Sequence, residues 1–173
     1  HRTIQIIFQN PYDAFTPRDT IEKILLRPMG IHGIGKDDNE RRQLCIEELN
    51  KRGLIPAEDM MKRLPHQLSG GQLQRISIIR ALLLEPKVLI ADEPVSMLDV
   101  SVRAEILNML LALRKEKNIS VLFISHDIAL TRYISDNVAV MYLGKMVEYG
   151  PTDEVLLSPQ HPYTQALVSN YGS

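Results

Sequence analysis

Leu68-Ser69-Gly70-Gly71-Gln72 opens a helical stretch from Leu73 to Leu84, in which Ile76, Ile79, Ala81, Leu82 and Leu83 give a broad apolar surface. A helix start presents unpaired N–H groups and the positive end of the dipole, and two glycines remove side chains that would hold an anion away. Those features suit a phosphate. Ser69 followed three residues later by Gln72 also reads as a capping box, a purely local device, so this stretch alone leaves both readings open.

The sequence that follows decides between them. After Glu85-Pro86, the run Val88-Leu89-Ile90-Ala91 is apolar on both faces and ends in Asp92-Glu93-Pro94. Such a strand belongs inside a parallel sheet, and open α/β sheets bind ligands outside the carboxyl ends of their strands. Asp99 is a suitable N-cap for a helix that carries Val102, Ile106, Met109, Leu110 and Leu113 on one face and ends in Arg114, Lys115 and Lys117. Ile119 to Ile124 reads as a second buried strand, followed by Ser125-His126-Asp127. The strand-helix-strand rhythm predicts right-handed parallel crossovers.

Together these motifs resemble the ATP-binding cassette (ABC) ATPases over nearly the whole chain. The resemblance implies an α/β fold of the P-loop NTPase kind, a parallel sheet core with an inserted helical subdomain. It assigns residues 1–9 and 86–150 to the catalytic core, 10–85 to the helical subdomain and 151–173 to a C-terminal extension. It implies ATP and Mg²⁺ as cofactors. Asp92 is the expected Mg²⁺ carboxylate and Glu93 the group that orients or deprotonates the hydrolytic water. Gln9, at the end of a Thr3–Phe8 strand, matches a glutamine that reaches the Mg²⁺ and the attacking water. His126 matches the switch histidine that touches the γ-phosphate, and imidazole suits a contact that both senses a phosphate and orients a water. Ser69, Gly70, Gly71 and Gln72 form the signature that faces the nucleotide of a second subunit. Asp99 couples the two sites across that dimer, with Met97 where the family usually has alanine. Gln9, Asp92, Glu93 and His126 are expected to converge at the carboxyl edge of the sheet.

Other features narrow the system. Gln9-Asn10-Pro11-Tyr12, Tyr149-Gly150-Pro151-Thr152 and the tail His161 to Leu167 look like the oligopeptide/dipeptide/nickel importer branch. The implied partners are a second ABC ATPase subunit and transmembrane permeases, with the protein peripheral on the cytoplasmic face of the membrane. Tyr12 and Phe15 are candidate contacts to such a partner. The alternatives are an ABC ATPase of a soluble assembly and a non-catalytic interaction module. A formal net charge of -1 gives no basic stripe for nucleic acid. Cys45 is the single cysteine, so no disulfide framework is expected.

Between Gln9 and Leu68 the sequence predicts a short helix from Asp19 or Thr20 through Leu26, closed by Pro28 and Gly30. A second helix is predicted from Asp37 to Arg52, stopping at Gly53, and a third short turn from Pro56 to before Pro65. Gly30 to Lys36 fits G-x-x-x-x-G-K, but Asp37 stands where Ser or Thr would bind Mg²⁺ and no strand precedes it. It reads as a connection between helices. Gly144-Lys145 reads as a hairpin turn between Val138–Leu143 and Met146–Tyr149. With no phosphate loop in the 173 residues and a start at His1, the chain is expected to be an N-terminally truncated piece, inactive by itself.

Overall fold

The computed structural model describes residues 2–171, which divide into two compact units at Ile124/Ser125. In the first, β1 (Ile4–Ile7), β2 (Val88–Asp92) and β3 (Ser120–Ile124) form a parallel sheet with β2 in the centre. The register pairs Ile4 with Val88 and Ile7 with Ala91, and Val88 with Ser120 through Asp92 with Ile124. Side chains alternate across a strand, so Ile7, Leu89 and Ala91 turn to one face and are buried. The opposite face carries Ile4, Ile6, Leu122 and Ile124, which are 44–55% exposed.

Four helices connect β1 to β2. α1 (Ile21–Ile31) is capped by Thr20, whose hydroxyl accepts from Lys23 N–H. It continues through Pro28, where the sequence predicted a stop. Buried Ile21, Ile24, Leu25 and Met29 outweigh the hydrogen bond that the proline removes. The helix ends in a Schellman motif, with Gly33 N–H on Gly30 O and Ile34 N–H on Met29 O. Gly33 takes the left-handed φ of +69° that this motif needs. The Gly30–Lys36 run is thus a helix end and a connection. α2 (Asp38–Lys51) is capped by Asp37 and closes the same way at Gly53. α3 (Ala57–Lys62) follows Pro56, which is the N-cap and not the first helical residue.

α4 (Gly70–Leu82) begins three residues earlier than its apolar pattern suggested, because the capping box carries both glycines into the first turn. α5 (Val100–Lys117) joins β2 to β3 and buries Ile106, Leu107, Met109, Leu110 and Leu113. Its C-terminal end is tied to α2 by Arg52, which reaches Glu48 and Glu116, and by Lys117 to Glu48.

The second unit contains α6 (Ile128–Ile134), β4 (Asn137–Tyr142), β5 (Lys145–Pro151), α7 (Thr152–Leu157) and α8 (Pro162–Ser169). β4 and β5 pair antiparallel about Leu143-Gly144, both at positive φ, as a tight hairpin of this kind requires. Glu148 accepts the amides of Gln160 and His161, which fastens the loop before α8 and holds its carboxyl below the usual range. No described helix is long and apolar enough to cross a membrane.

Candidate functional site

Adjacent parallel strands that start in register also end together. Gln9 and Glu93 each lie two residues beyond the Ile7–Ala91 pair, so both stand at the carboxyl edge of the sheet. Gln9 and Asp92 are exposed there, and Glu93 is half-buried.

Glu93 has a φ of +48°. A Cβ crowds the following carbonyl oxygen in this region, and a following proline pushes its predecessor toward extended backbone. Conformations of this kind cost on the order of 1–3 kcal/mol and persist where surrounding bonds over-determine them. The bonds are present. Glu93 N–H donates to Ile124 O at 2.9 Å, and its carbonyl accepts from both Ser96 N–H (3.3 Å) and Ser96 Oγ (3.1 Å). The next carbonyl, of Pro94, accepts from Gln74 Nε2 at 2.5 Å. Beyond it, Arg103 donates to Leu98 O and Ser96 O, bracing the turn that leads to Asp99.

Asp99 occupies the N-cap of α5, but its carboxylate makes no capping hydrogen bond; its carbonyl receives Val102 and Arg103 instead. The side chain is exposed.

At the head of α4 the capping box closes fully: Ser69 Oγ accepts from Gln72 N–H at 3.2 Å and Gln72 Oε1 from Ser69 N–H at 3.0 Å. Gly70 and Gly71 fill the first two helical positions, whose N–H groups have no intrahelical acceptor. Both glycines are also required by packing. A Cβ on Gly71 would lie 2.5 Å from Val102 Cγ1, and one on Gly70 3.3 Å from Leu98 Cδ2. The sequence reading gave the missing side chains only to an anion; here they let α4 approach the start of α5.

The loop after Gln9 is fastened along α4. Tyr12 is 45% exposed, and its hydroxyl donates to Leu68 O at 3.2 Å. Phe15 is only 6% exposed, with the Arg80 guanidinium 5.7 Å over its ring. Phe15 is therefore a core residue and not a contact offered to a partner.

His126 belongs to the second unit and is exposed, and its carbonyl accepts from the Tyr171 hydroxyl. The neighbouring residues do the capping. Asp127 Oδ1 accepts Leu130 N–H at the start of α6, and Ser125 Oγ accepts Asp127 N–H. Among the described residues, no three of His, Cys, Asp and Glu gather to hold a metal.

One polar residue escaped the sequence reading. Gln74 sits on the buried side of α4 with no exposed surface, flanked by Leu73 and Ile78, and its signal was a lone amide on an apolar face.

Residues 1–96 match the model of the family described as ABC transporter. The chain belongs to the ABC transporter family. Residues 147–172 match a second model, the oligopeptide/dipeptide transporter C-terminal region. The oligopeptide transport ATP-binding protein OppF of Bacillus subtilis is 46% identical over 98% of this chain and 55% of its own length. The dipeptide transport ATP-binding protein DppF of Haemophilus influenzae is 48% identical over 97% of this chain and 50% of its own. The glutathione import ATP-binding protein GsiA of Escherichia coli is 51% identical over 97% of this chain and 26% of its own. The chain thus spans about half or less of these relatives. Among solved structures, CbiO1 from Clostridium perfringens, part of an ABC transporter complex, superposes with a TM-score of 0.76 at 30% identity. That match covers 91% of this chain and 60% of the other. It agrees with the α/β architecture with a parallel sheet that the motifs implied.

Proposed function

We propose that this chain is part of the ATP-hydrolysing subunit of an importer for peptides or a related small solute, working with a second ATPase subunit and membrane permeases. The observation that carries the proposal is Glu93, held in a strained backbone at the end of β2, level with Gln9 on β1. Strain maintained by this many bonds marks a position where geometry matters more than local stability. The relatives named for oligopeptide, dipeptide and glutathione transport, and the match of residues 147–172, support the importer reading.

The donor set suits a magnesium-nucleotide. Asp92 offers an exposed carboxylate and Gln9 an exposed amide oxygen, hard ligands of the sort Mg²⁺ takes alongside phosphate and water. Those two would hold the ion. Bound ATP supplies the γ-phosphoryl group for transfer to water. Glu93 accepts the proton of that water, and its fixed backbone limits the directions its carboxylate can sample. His126 is assigned the γ-phosphate contact on the resemblance alone. Ser69 and the Gly70 and Gly71 amides face the nucleotide of the second subunit, with the helix dipole favouring its negative charge. Asp99 couples the two sites. The protein then sits at the cytoplasmic face of the membrane through its partners.

Reconstitution tests this directly. The full-length protein in lipid vesicles with its permease partners should accumulate labelled oligopeptide only when ATP and Mg²⁺ are supplied on its side. Uptake without ATP, or ATP turnover that is the same with and without the permeases, would contradict the transport role. The second result would favour a soluble assembly.

A further inference from the structure

We infer that Gln74 is a positioning residue that sets the spacing between Gln9 and Glu93, and so tunes water activation from within the signature helix. This rests on the roles proposed above for those two residues.

Gln74 Nε2 donates to Pro94 O at 2.5 Å and to Phe8 O at 3.3 Å. Phe8 directly precedes Gln9, and Pro94 directly follows Glu93. Both partners are carbonyls, so the amide must present its NH₂ group to them, and its two hydrogens match two acceptors. Beyond Ile7 and Ala91 the β1–β2 register ends, and this amide bridges those two strands where their own ladder stops.

Burial strengthens the argument. Gln74 is fully buried, and its Oε1 has no hydrogen-bond partner among the described residues. A buried acceptor without a partner is unfavourable, so retaining an amide here implies that its donors are needed. One of those donors holds the carbonyl of Pro94, the residue after Glu93, whose left-handed backbone depends on outside support. The same helix also holds the loop after Gln9 through Arg80 to Ala14 O, and Leu68, just before its cap, accepts from the Tyr12 hydroxyl. A shift of α4 therefore moves Gln9 and Glu93 together. This gives the signature helix a direct mechanical link to the groups that handle water in its own subunit.

Gln74→Met keeps the volume and removes both donors. In the assembled transporter, it should lower kcat by about tenfold to a hundredfold while KM for ATP stays within about twofold. In a Glu93→Gln background it should lower turnover by no more than about twofold, because the residue it positions is already disabled. A purely structural role would instead give effects that multiply. A second readout needs no nucleotide: hydrogen exchange at the Glu93 and Ser96 amides should accelerate at least about tenfold in Gln74→Met, with central α4 amides unchanged. Should the Met variant fail to fold, Gln74→Asn keeps the polar group but withdraws it by one methylene, and the same kinetic and exchange changes are expected. Wild-type kcat in a folded variant, or unchanged exchange at Glu93 and Ser96, would overturn the inference. If Glu93→Gln itself retains full turnover, the proposed function fails first, and the two failures are distinguished.

Discussion

Glu93 and Cys45 show how differently single residues are held in this chain. Glu93 is partly open to solvent and kept in an unfavourable backbone by neighbours from β3, the Ser96 turn and α4. Cys45 is fully buried in α2 with Met29 sulfur 3.7 Å away. Burial, with the Glu22 charge nearby, pushes its thiol up to about 12 from an ordinary 9. A thiol with a raised folded-state pKa stays protonated where the unfolded chain would ionise. Its contribution to stability is therefore complete below about pH 9 and is lost as pH rises toward 12. At pH 8 iodoacetamide should label Cys45 only as fast as the protein opens, which mass spectrometry over a urea series can follow. Rapid labelling of the native protein would show that the thiol is accessible. Gln74 was not legible as a site in the sequence, because only the fold brings Phe8 and Pro94 to its amide. The sequence offered no more than a polar residue at a core position. The position of Asp92, Glu93 and Gln9 at the carboxyl ends of strands was legible, because each ends or follows an apolar run. The roles proposed for them come from the family resemblance.

At the scale of elements, the contact of α4 with α5 depends on two glycines. Gly71→Ala puts a methyl group against Val102, a β-branched side chain with little freedom to move aside. Overpacking of this sort costs about 1–3 kcal/mol, and alanine returns at most ~1 kcal/mol of helix propensity. The expected outcome is a net loss of about 1–2 kcal/mol in urea unfolding, recovered when Val102→Ala is added. A Gly71→Ala protein as stable as the wild type would show that the helices are not in this contact. Gly70→Ala meets only the end of the Leu98 side chain and should cost less. Local signals fixed most elements: Thr20, Asp37 and Ser69 cap where their sequence patterns placed them. The errors came from residues read by propensity alone. Pro28 and the glycines of α4 sit inside helices because tertiary packing and capping outweigh propensity. α6 went unread, since its seven residues are too few to show a period.

At the scale of the molecule, one face of the parallel sheet in the first unit is lined by buried side chains, and the other carries several exposed ones among the described residues. The exposed Ile4, Ile6, Leu122 and Ile124 are unusual for a fold whose strands are normally buried on both faces. The family was legible because its motifs lie at strand ends and helix starts in the right order. The branch of the family was less so, because the stretches that resemble it, residues 9–12, 149–152 and 161–167, are short. The central claim is that Glu93 activates the hydrolytic water. It is tested most directly by comparing wild-type and Glu93→Gln full-length protein, with ATP binding measured by calorimetry and phosphate release measured on the same samples. The glutamine keeps shape and hydrogen bonding but cannot take the proton. Affinity for ATP should stay within about threefold while turnover falls at least about a hundredfold. Turnover equal to the wild type in the glutamine variant would contradict the account.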